Sequence, residues 1–342
     1  MGKDCRKYEP LTARERVGAV LEFRPPDDRL PMVEWAAWWD ETIARWDSEG
    51  LPADLTLCAS LDYFGLDKLL LLNAAASSPA CPQAASHGAG IITDEASYEA
   101  ILPYLYTDSI IENLLSEARE LKPRHDAGEI VLRLWLDGFF WFPRTLLGIE
   151  PHLYAFYDQA ELLHRINRDL AAFNLRVVEE LCQILVPDIV GLAEDMSYNR
   201  GPMLSRRHFR EFLTPYYQAL IPQIKKFGAK VFVDIDGDVP TMIPWMVEAG
   251  IEGVYPLERQ AGVDVGEIRR LFPTFLMMGG YDKMVMPRGE AAMRAEFERL
   301  LPVMRLGGYL PSVDHQTPPG VSLEHYRTYV RLFREYARKA VT

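Results

Sequence analysis

Residues 230–258 read KVFVDIDGDVPTMIPWMVEAGIEGVYPLE. The stretch holds two short apolar runs, Lys230–Asp234 and Gly253–Glu258, and each run ends in acidic residues. Short apolar runs at this separation are typical of parallel β-strands joined by crossover connections. The stretch therefore predicts repeated βα units.

The same alternation continues on both sides of this stretch. The further candidate strands are Leu30–Glu34, Ile130–Asp137, Asp188–Glu194, Phe275–Gly280 and Tyr309–Asp314. Helical patterns such as Ser205–Phe227 and Arg288–Leu306 lie between them. Because seven strands are one short of a closed barrel, we expect an eighth whose position the pattern does not give. The predicted fold class is α/β, a (β/α)8 TIM barrel.

Two segments depart from this rhythm. Residues 1–29 are interpreted as an N-terminal extension, and residues 54–107, rich in Ala, Ser, Pro and Gly, as an inserted, hairpin-like excursion near the barrel mouth. An insertion without a role in chemistry explains the second segment equally well. Residues 322–341 form an amphipathic pattern that predicts a closing helix. We expect one domain over residues 1–342.

Composition restricts the classes of partner. The net charge of −12 disfavours nucleic acid and anionic membranes, and no stretch has the roughly 20 apolar residues that a membrane span needs. The first residues lack the apolar core of a signal peptide, so we expect a cytoplasmic protein. The four cysteines, Cys5, Cys58, Cys81 and Cys182, form no C-x-x-C pair and indicate neither a disulfide framework nor a cysteine-rich zinc site. The oligomeric state stays open, a homodimer being one option.

Acidic residues follow several of the candidate strands. These residues are Glu194 and Asp195, the D-x-D-G-D run at 234–238, Glu258, Asp282 and Asp314. Each alone is also compatible with a helix cap or a structural ion pair. Since catalytic groups of barrel enzymes lie on the loops after the strands, their convergence at one mouth predicts an active site. We expect Asp236, Glu194, Asp282 and His315 to be catalytic.

The pair Asp234 and Asp236 stands two residues apart, so both carboxylates would project to one side of an extended segment. Two close carboxylates require a cation or a proton between them. His315 is the one histidine among seven that directly follows a candidate strand. An imidazole beside carboxylates suits a general acid or a metal ligand. We therefore expect Asp234, Asp236 and His315 to bind a divalent metal, zinc first, with manganese, iron or magnesium as alternatives.

Aromatic runs occupy residues 34–46, EWAAWWDETIARW, and 137–148, DGFFWFPRTLLG. Such residues commonly fill the space between a barrel and its helices. Alternatively they form a pocket for a ring-bearing substrate, with Arg144 or Arg133 holding a carboxylate. For a small-molecule substrate the predicted binding residues are Trp35, Trp38, Phe140, Arg144, Tyr198 and Glu258.

An ordered series of motifs resembles the uroporphyrinogen decarboxylase superfamily over nearly the whole chain. The motifs are TARER at 12–16, GPMLSRRHFREFLTPYY at 201–217, VFVDIDGDV at 231–239, AGIEGVYPLE at 249–258, GGYDK at 279–283 and GGYLPSVDHQTPPGVSLEHY at 307–326. The resemblance implies a TIM barrel. The superfamily includes uroporphyrinogen decarboxylases and methyltransferases that act with corrinoid proteins and thiols.

Two departures from the superfamily's patterns bear on activity. True uroporphyrinogen decarboxylases carry an R-Q-A-G-R-type motif after the first strand, where this chain reads PMVEWAAWWDE at 31–41. His315 matches the histidine of the family's late H-G-x-x-P motif. The thiol methyltransferases carry H-x-C where Asp234 and Asp236 stand here, and a later cysteine in the place of His315. The resemblance thus implies a divergent relative of the methyltransferase branch.

Three readings of function follow. The first is a metal-dependent methyltransferase or demethylase of a small methylated substrate, for which the resemblance implies a corrinoid protein as acceptor. The second is a decarboxylase, a lyase of a small or ring-bearing carboxylated substrate, in which an acidic residue or His315 protonates the product carbon. The third is a ligand-binding barrel without catalysis.

Overall fold

The computed structural model describes residues 10–342. The first nine residues of the predicted N-terminal extension, Cys5 among them, lie outside the described range. Seven parallel strands are hydrogen-bonded into one sheet within that range. They are β1 (Lys68–Ala74), β2 (Ile130–Asp137), β3 (Ile189–Ala193), β4 (Lys230–Ile235), β5 (Gly253–Pro256), β6 (Leu276–Tyr281) and β7 (Tyr309–Val313).

The strands pair in chain order from β1 to β7, as expected when every connection is a crossover of the same kind. Residues 10–342 contain fourteen α-helices. They are α1 (Ala13–Leu21), α2 (Asp40–Ser48), α3 (Leu57–Phe64), α4 (Glu95–Ile101), α5 (Asp108–Asp126), α6 (Trp141–Leu147), α7 (Ile149–Asp158), α8 (Ala160–Cys182), α9 (Arg206–His208), α10 (Thr214–Phe227), α11 (Ile243–Ala249), α12 (Val265–Leu271), α13 (Glu290–Met304) and α14 (Leu323–Lys339). The fold is α/β, a TIM barrel, which confirms the predicted class.

Six of the predicted strands are confirmed within a few residues, and the seventh is wrong. Leu30–Glu34 forms no strand, because Pro31 has no N–H to contribute to a ladder. The segment is nevertheless buried and lies between the two edges of the sheet: the Met32 carbonyl accepts from Asp67 N at 2.8 Å, and Trp35 N donates to Ser312 Oγ at 3.2 Å. The segment therefore occupies the position of an eighth strand but does not form the hydrogen-bond ladder of a strand with its neighbours.

A strand absent from the predicted set, β1, lies within residues 54–107, the segment predicted to be a hairpin-like excursion. Lys68–Ala74 pairs parallel with β2, not antiparallel within the excursion. Its pattern was obscured because Leu71 and Asn73 are exposed in the strand, and because the Ala-, Ser- and Pro-rich loop after it resembles an insertion. The domain boundaries themselves remain a prediction.

Aromatic side chains fill much of the space between sheet and helices. Trp38 and Trp46 pack with Phe64 and Tyr326, with ring centroids 4.5–5.7 Å apart. The predicted closing helix is confirmed as α14, whose apolar face is buried. No helix within residues 10–342 is long and apolar enough to cross a membrane.

Candidate functional site

Three side chains from different loops meet at the carboxyl ends of the strands. Asp236 follows β4, Glu258 follows β5 and His315 follows β7. Each offers a ligand atom, and these atoms all lie within 4.8 Å of one another. We call Asp236, Glu258 and His315 the mouth triad. The barrel topology explains the convergence, since parallel strands point their carboxyl ends to one face.

The turn after Asp236 depends on a glycine. Gly237 has φ +80°, and a Cβ there would lie 2.6 Å from the backbone of Tyr198. Its N–H donates to Glu258 Oε2 at 3.3 Å, so the same turn also holds the second carboxylate of the mouth triad. Residues other than glycine would be strained here.

Asp234 and Asp236 line the same cavity but have different surroundings. Burial raises the pKa of each to about 7, and neighbouring carboxylates, first Glu258 for Asp236 and Asp195 for Asp234, add to the effect. The positive charge of Arg133 lowers the pKa of Asp234 and so opposes the effect of burial. Asp234 is not a member of the mouth triad. The geometry therefore favours Glu258 over Asp234 as the third ligand of the predicted metal site.

His315 is half-buried and packs edge-on against Trp35, with ring centroids 5.7 Å apart. Desolvation lowers the pKa of its imidazole, so the neutral ring is favoured. Its Nδ1 accepts a hydrogen bond from Gln316 N at 2.9 Å. In that arrangement a neutral ring carries its proton on Nε2 and can donate it toward the carboxylates. Metal ligation through Nε2 would require the other tautomer.

A cavity of about 190 Å³ opens beside the mouth triad. Its lining residues are Trp35, Trp135, Trp141, Ala193, Glu194, Asp195, Asp234, Asp236 and His315. Three indole rings and four carboxylates thus surround one small space. Such a cavity combines an apolar wall with a polar side that is able to orient a small ligand.

Glu194 is placed in the cavity wall, but its oxygens are already engaged. They accept from Phe139 N at 2.8 Å, from Phe140 N at 2.6 Å and from the Tyr217 hydroxyl. The side chain is fully buried, and burial raises its pKa to about 7. The hydrogen bonds that it accepts lower the pKa but do not cancel the effect of burial. Glu194 therefore holds the loop between β2 and α6, and with it Trp141, and acts as a positioning residue.

Two further predicted site residues lie beside the site and not in it. Asp282 caps the short helix 283–288: its Oδ1 accepts from Met284 N at 2.9 Å and from Gln260 Nε2 at 2.8 Å. Arg144 binds the Asp195 carbonyl at 2.9 Å and its carboxylate at 2.6 Å, and so fixes a carboxylate of the cavity wall. Neither side chain lines the cavity.

Of the remaining predicted binding residues, one lines the cavity and three do not. Trp35 lines the cavity, whereas Trp38 is part of the aromatic packing against α14, and Phe140 packs against His152 and Phe156. Tyr198 is half exposed, outside the cavity lining. Helix-side packing, which a linear pattern cannot distinguish from a pocket wall, explains Phe140, whereas Trp38 also lines a second cavity together with Trp35.

Trp135, Trp141 and Asp195 line the cavity but are not among the site residues predicted from the sequence. Trp135 lies two residues after Arg133 on β2, so strand alternation places both on the inner face. Asp195 has φ +41° and directly follows Glu194, the residue that the sequence pattern predicts for the site. Lys283 donates to Asp314 Oδ1 at 3.1 Å, and its positive charge acts on Asp236 and His315.

The donors of the mouth triad fit a divalent cation chemically. Two carboxylates and one imidazole are ligands that zinc, manganese and iron share. No donor among residues 10–342 hydrogen-bonds the Asp236 carboxylate, which sits among other carboxylates and would gain from a cation. The fit requires release of the Gln316 hydrogen bond if His315 ligates through Nδ1.

Fold and site together define a (β/α) barrel protein with an acidic, tryptophan-lined pocket at the carboxyl ends of its strands. Residues 147–336 match the family model of uroporphyrinogen decarboxylase (URO-D). Because this match covers more than half of the chain, the protein belongs to the uroporphyrinogen decarboxylase family. The family resemblance drawn from the sequence motifs is confirmed.

Among solved structures, a methyltransferase from Methanosarcina mazei is similar, with a TM-score of 0.68 and 16% identity over 95% of this chain and 99% of that one. A putative vitamin-B12-independent methionine synthase from Listeria monocytogenes gives a TM-score of 0.46 and 14% identity over 91% and 96%. The first likeness supports the fold. No curated protein sequence matches the chain.

Proposed function

We propose that the protein is a metal-dependent methyltransferase or demethylase that acts on a small methylated compound. The observation that carries the proposal is the mouth triad of Asp236, Glu258 and His315 beside a cavity walled by Trp35, Trp135 and Trp141. That a protein of the same fold is a methyltransferase adds support.

The mouth triad would hold the divalent cation, with zinc as the first candidate and manganese, iron or magnesium as alternatives. When bound, such a cation supplies Lewis-acid polarisation of the heteroatom that bears the methyl group. Oxygen ligands in place of thiolates make a thiol acceptor less suited to the site. None of the described cysteines, Cys58, Cys81 and Cys182, lines the cavity.

The chain's own residues perform the remaining tasks. The three indoles surround an apolar methyl group and exclude water from it. In the transfer, the methyl group leaves as a cation equivalent, the heteroatom keeps the bonding electron pair, and a proton must reach it. Asp234, which lines the cavity outside the mouth triad and whose pKa burial raises to about 7, is the proton donor. A reduced corrinoid protein, docked at the barrel mouth, would be the nucleophilic acceptor.

Metal analysis by plasma mass spectrometry tests the site. Near-stoichiometric metal is expected in the wild type after incubation with zinc, manganese and iron salts, with loss in Asp236→Ala, Glu258→Ala and His315→Ala. Asp282→Asn, which changes an acidic residue next to the mouth but outside the triad, is the matched control and should keep its metal. A metal-free wild type would overturn the proposal.

Activity is tested with free cob(I)alamin as acceptor and a panel of O-, N- and S-methyl compounds carrying deuterated methyl groups. Formation of deuterated methylcobalamin by the wild type, and its absence with His315→Ala, is the expected result. Loss of the methyl group without labelled cobalamin would exclude free cob(I)alamin as the acceptor.

A decarboxylase is the second candidate, because Asp234 and Asp236 both line the cavity and burial raises the pKa of each to about 7, so that a carboxyl group could protonate a product carbon. Release of carbon dioxide from small carboxylic acids would support it. Buried Glu34 and Trp35 stand in the region where uroporphyrinogen decarboxylases have arginines, which disfavours the macrocycle as substrate. Absence of turnover by the wild type in all of these assays, unchanged in the Asp236 and His315 variants, would instead indicate a non-catalytic barrel.

A further inference from the structure

A second cavity, of about 280 Å³, shares Trp35 with the first as a lining residue. Strand β1 and helix α3 provide its apolar wall, through Leu57, Leu61, Leu69, Leu70 and Leu71. Leu71 is 41% exposed although it lies in the middle of a strand. Since Leu71 is in register with Arg133 on β2, both belong to the same, inner face of the sheet. We call this cavity the Arg133 chamber.

Arg133 is the cation of this chamber and forms no direct ion pair with the described part of the chain, although Asp234 lies within its electrostatic reach and Glu34 also lines the chamber. Its side chain is 5% exposed, and among residues 10–342 neither its Nε nor its Nη1 has a hydrogen-bond partner. No carboxylate of the described chain lies within 4.0 Å of it as an ion pair. Burying a charge without a partner is costly, so the guanidinium has unused capacity for an anion.

Aromatic rings hold the guanidinium in place. The Arg133 Cζ atom lies 4.7 Å from the ring centroid of Tyr255 and 5.7 Å from that of Trp35. Contacts of this kind orient a guanidinium and partly offset its desolvation, but they leave its N–H groups free. A planar fork fixed in this way matches a carboxylate, which it can bind through two parallel hydrogen bonds.

We propose that the Arg133 chamber binds the carboxylate of a small ligand that has an apolar body. The leucine wall would cover the body, and the guanidinium would bind the charged end. The Trp35 ring centroid lies 5.7 Å from that of His315 and 5.7 Å from the Arg133 Cζ atom, so one indole contacts both the chamber and the mouth triad. A ligand lying along Trp35 therefore presents its far end to Asp236 and His315.

On the proposed function, this ligand is the methyl donor, a methylated compound with a carboxylate at the opposite end. That assignment rests on the proposed function, whereas carboxylate binding by Arg133 does not. The two claims therefore have separate readouts: the metal content of the mouth triad, and carboxylate affinity of the chamber.

Isothermal titration calorimetry with hexanoate tests the chamber, with 1-hexanol and hexylammonium as probes of the same chain length and different charge. Hexanoate should bind the wild type at least tenfold more tightly than either control. Arg133→Met should weaken hexanoate binding at least tenfold. Equal binding of hexanoate and hexanol, unchanged binding by Arg133→Met, or no binding of hexanoate to the wild type would overturn the proposal.

A second variant guards against misfolding of Arg133→Met. Leu71→Trp adds volume at a solvent-accessible chamber residue and should block hexanoate while leaving Arg133 in place. Leu306→Trp, at a residue that is 57% exposed and outside the chamber, is its control and should bind hexanoate as the wild type does. Equal hexanoate affinity of Leu71→Trp and Leu306→Trp would contradict the proposal. Asp236→Ala should lose metal and keep hexanoate binding, which separates failure of the mouth triad from failure of the chamber.

Discussion

Trp35 meets His315 edge to face, with ring centroids 5.7 Å apart and planes at 81°. The Trp35 indole N–H donates to the Val313 carbonyl at 3.0 Å, and its backbone N–H to Ser312 Oγ. The tryptophan from the segment before α2 is thereby fixed to the strand that precedes the histidine. This contact joins the beginning and the end of the barrel at the candidate site.

The position of the third metal ligand can be tested by comparing two aspartates. Asp234→Asn should retain bound zinc, because Asp234 lies outside the mouth triad, whereas Asp236→Asn should lose it. Zinc per chain is measured by plasma mass spectrometry after dialysis. Equal loss in both variants would restore the pair Asp234 and Asp236 as the metal ligands.

Glu194→Gln should reduce stability without removing metal. An amide has one acceptor oxygen where the carboxylate has two, so a buried backbone N–H or the Tyr217 hydroxyl loses its partner, at a cost of about 1–3 kcal/mol. Urea unfolding gives the stability, and plasma mass spectrometry the metal content. Loss of metal from a protein of unchanged stability would contradict the positioning role.

Glu34 should make the protein less stable as pH rises. Burial raises the pKa of its carboxyl to about 7 from 4.5. The folded state then keeps a proton that the unfolded chain releases between these values, so the free energy of unfolding falls over that window, by about 3 kcal/mol at most.

Glu34→Gln mimics the protonated group and should flatten the fall between pH 4.5 and 7, as measured by urea unfolding at several pH values. Other buried carboxyl groups titrate in both proteins, so the difference between the two curves reports Glu34. Glu324→Gln, on the exposed side of α14, is the control and should follow the wild type. Parallel curves for wild type and Glu34→Gln would contradict the assigned pKa.

Gly191 and Tyr255 should be coupled across the barrel interior. A Cβ on Gly191 would lie 2.2 Å from the Tyr255 hydroxyl, so Gly191→Ala should cost about 1–3 kcal/mol by overpacking. Adding Tyr255→Phe removes the clashing oxygen and should recover part of that loss. Thermal or urea unfolding of the two single variants and the double variant gives the coupling, and additive effects would contradict the contact.

The sequence alone was sufficient for the fold class, for six strands of the sheet and for the placement of Asp236 and His315 at strand ends. Those features depend on local periodicity and on the rule that barrel loops carry the site, which a linear pattern expresses directly. The family resemblance rested on motifs quoted from the same segments.

Only the tertiary structure decided which residues share a space. Strand β1 resembled an insertion because two of its residues, Leu71 and Asn73, are exposed and not packed in a core. Glu258 replaced Asp234 in the mouth triad, and Glu194 turned out to hold backbone N–H groups, because distances between loops depend on how the strands are arranged around the barrel. Which side chains contact one another at the site depends on packing in three dimensions and cannot be read from their spacing along the chain.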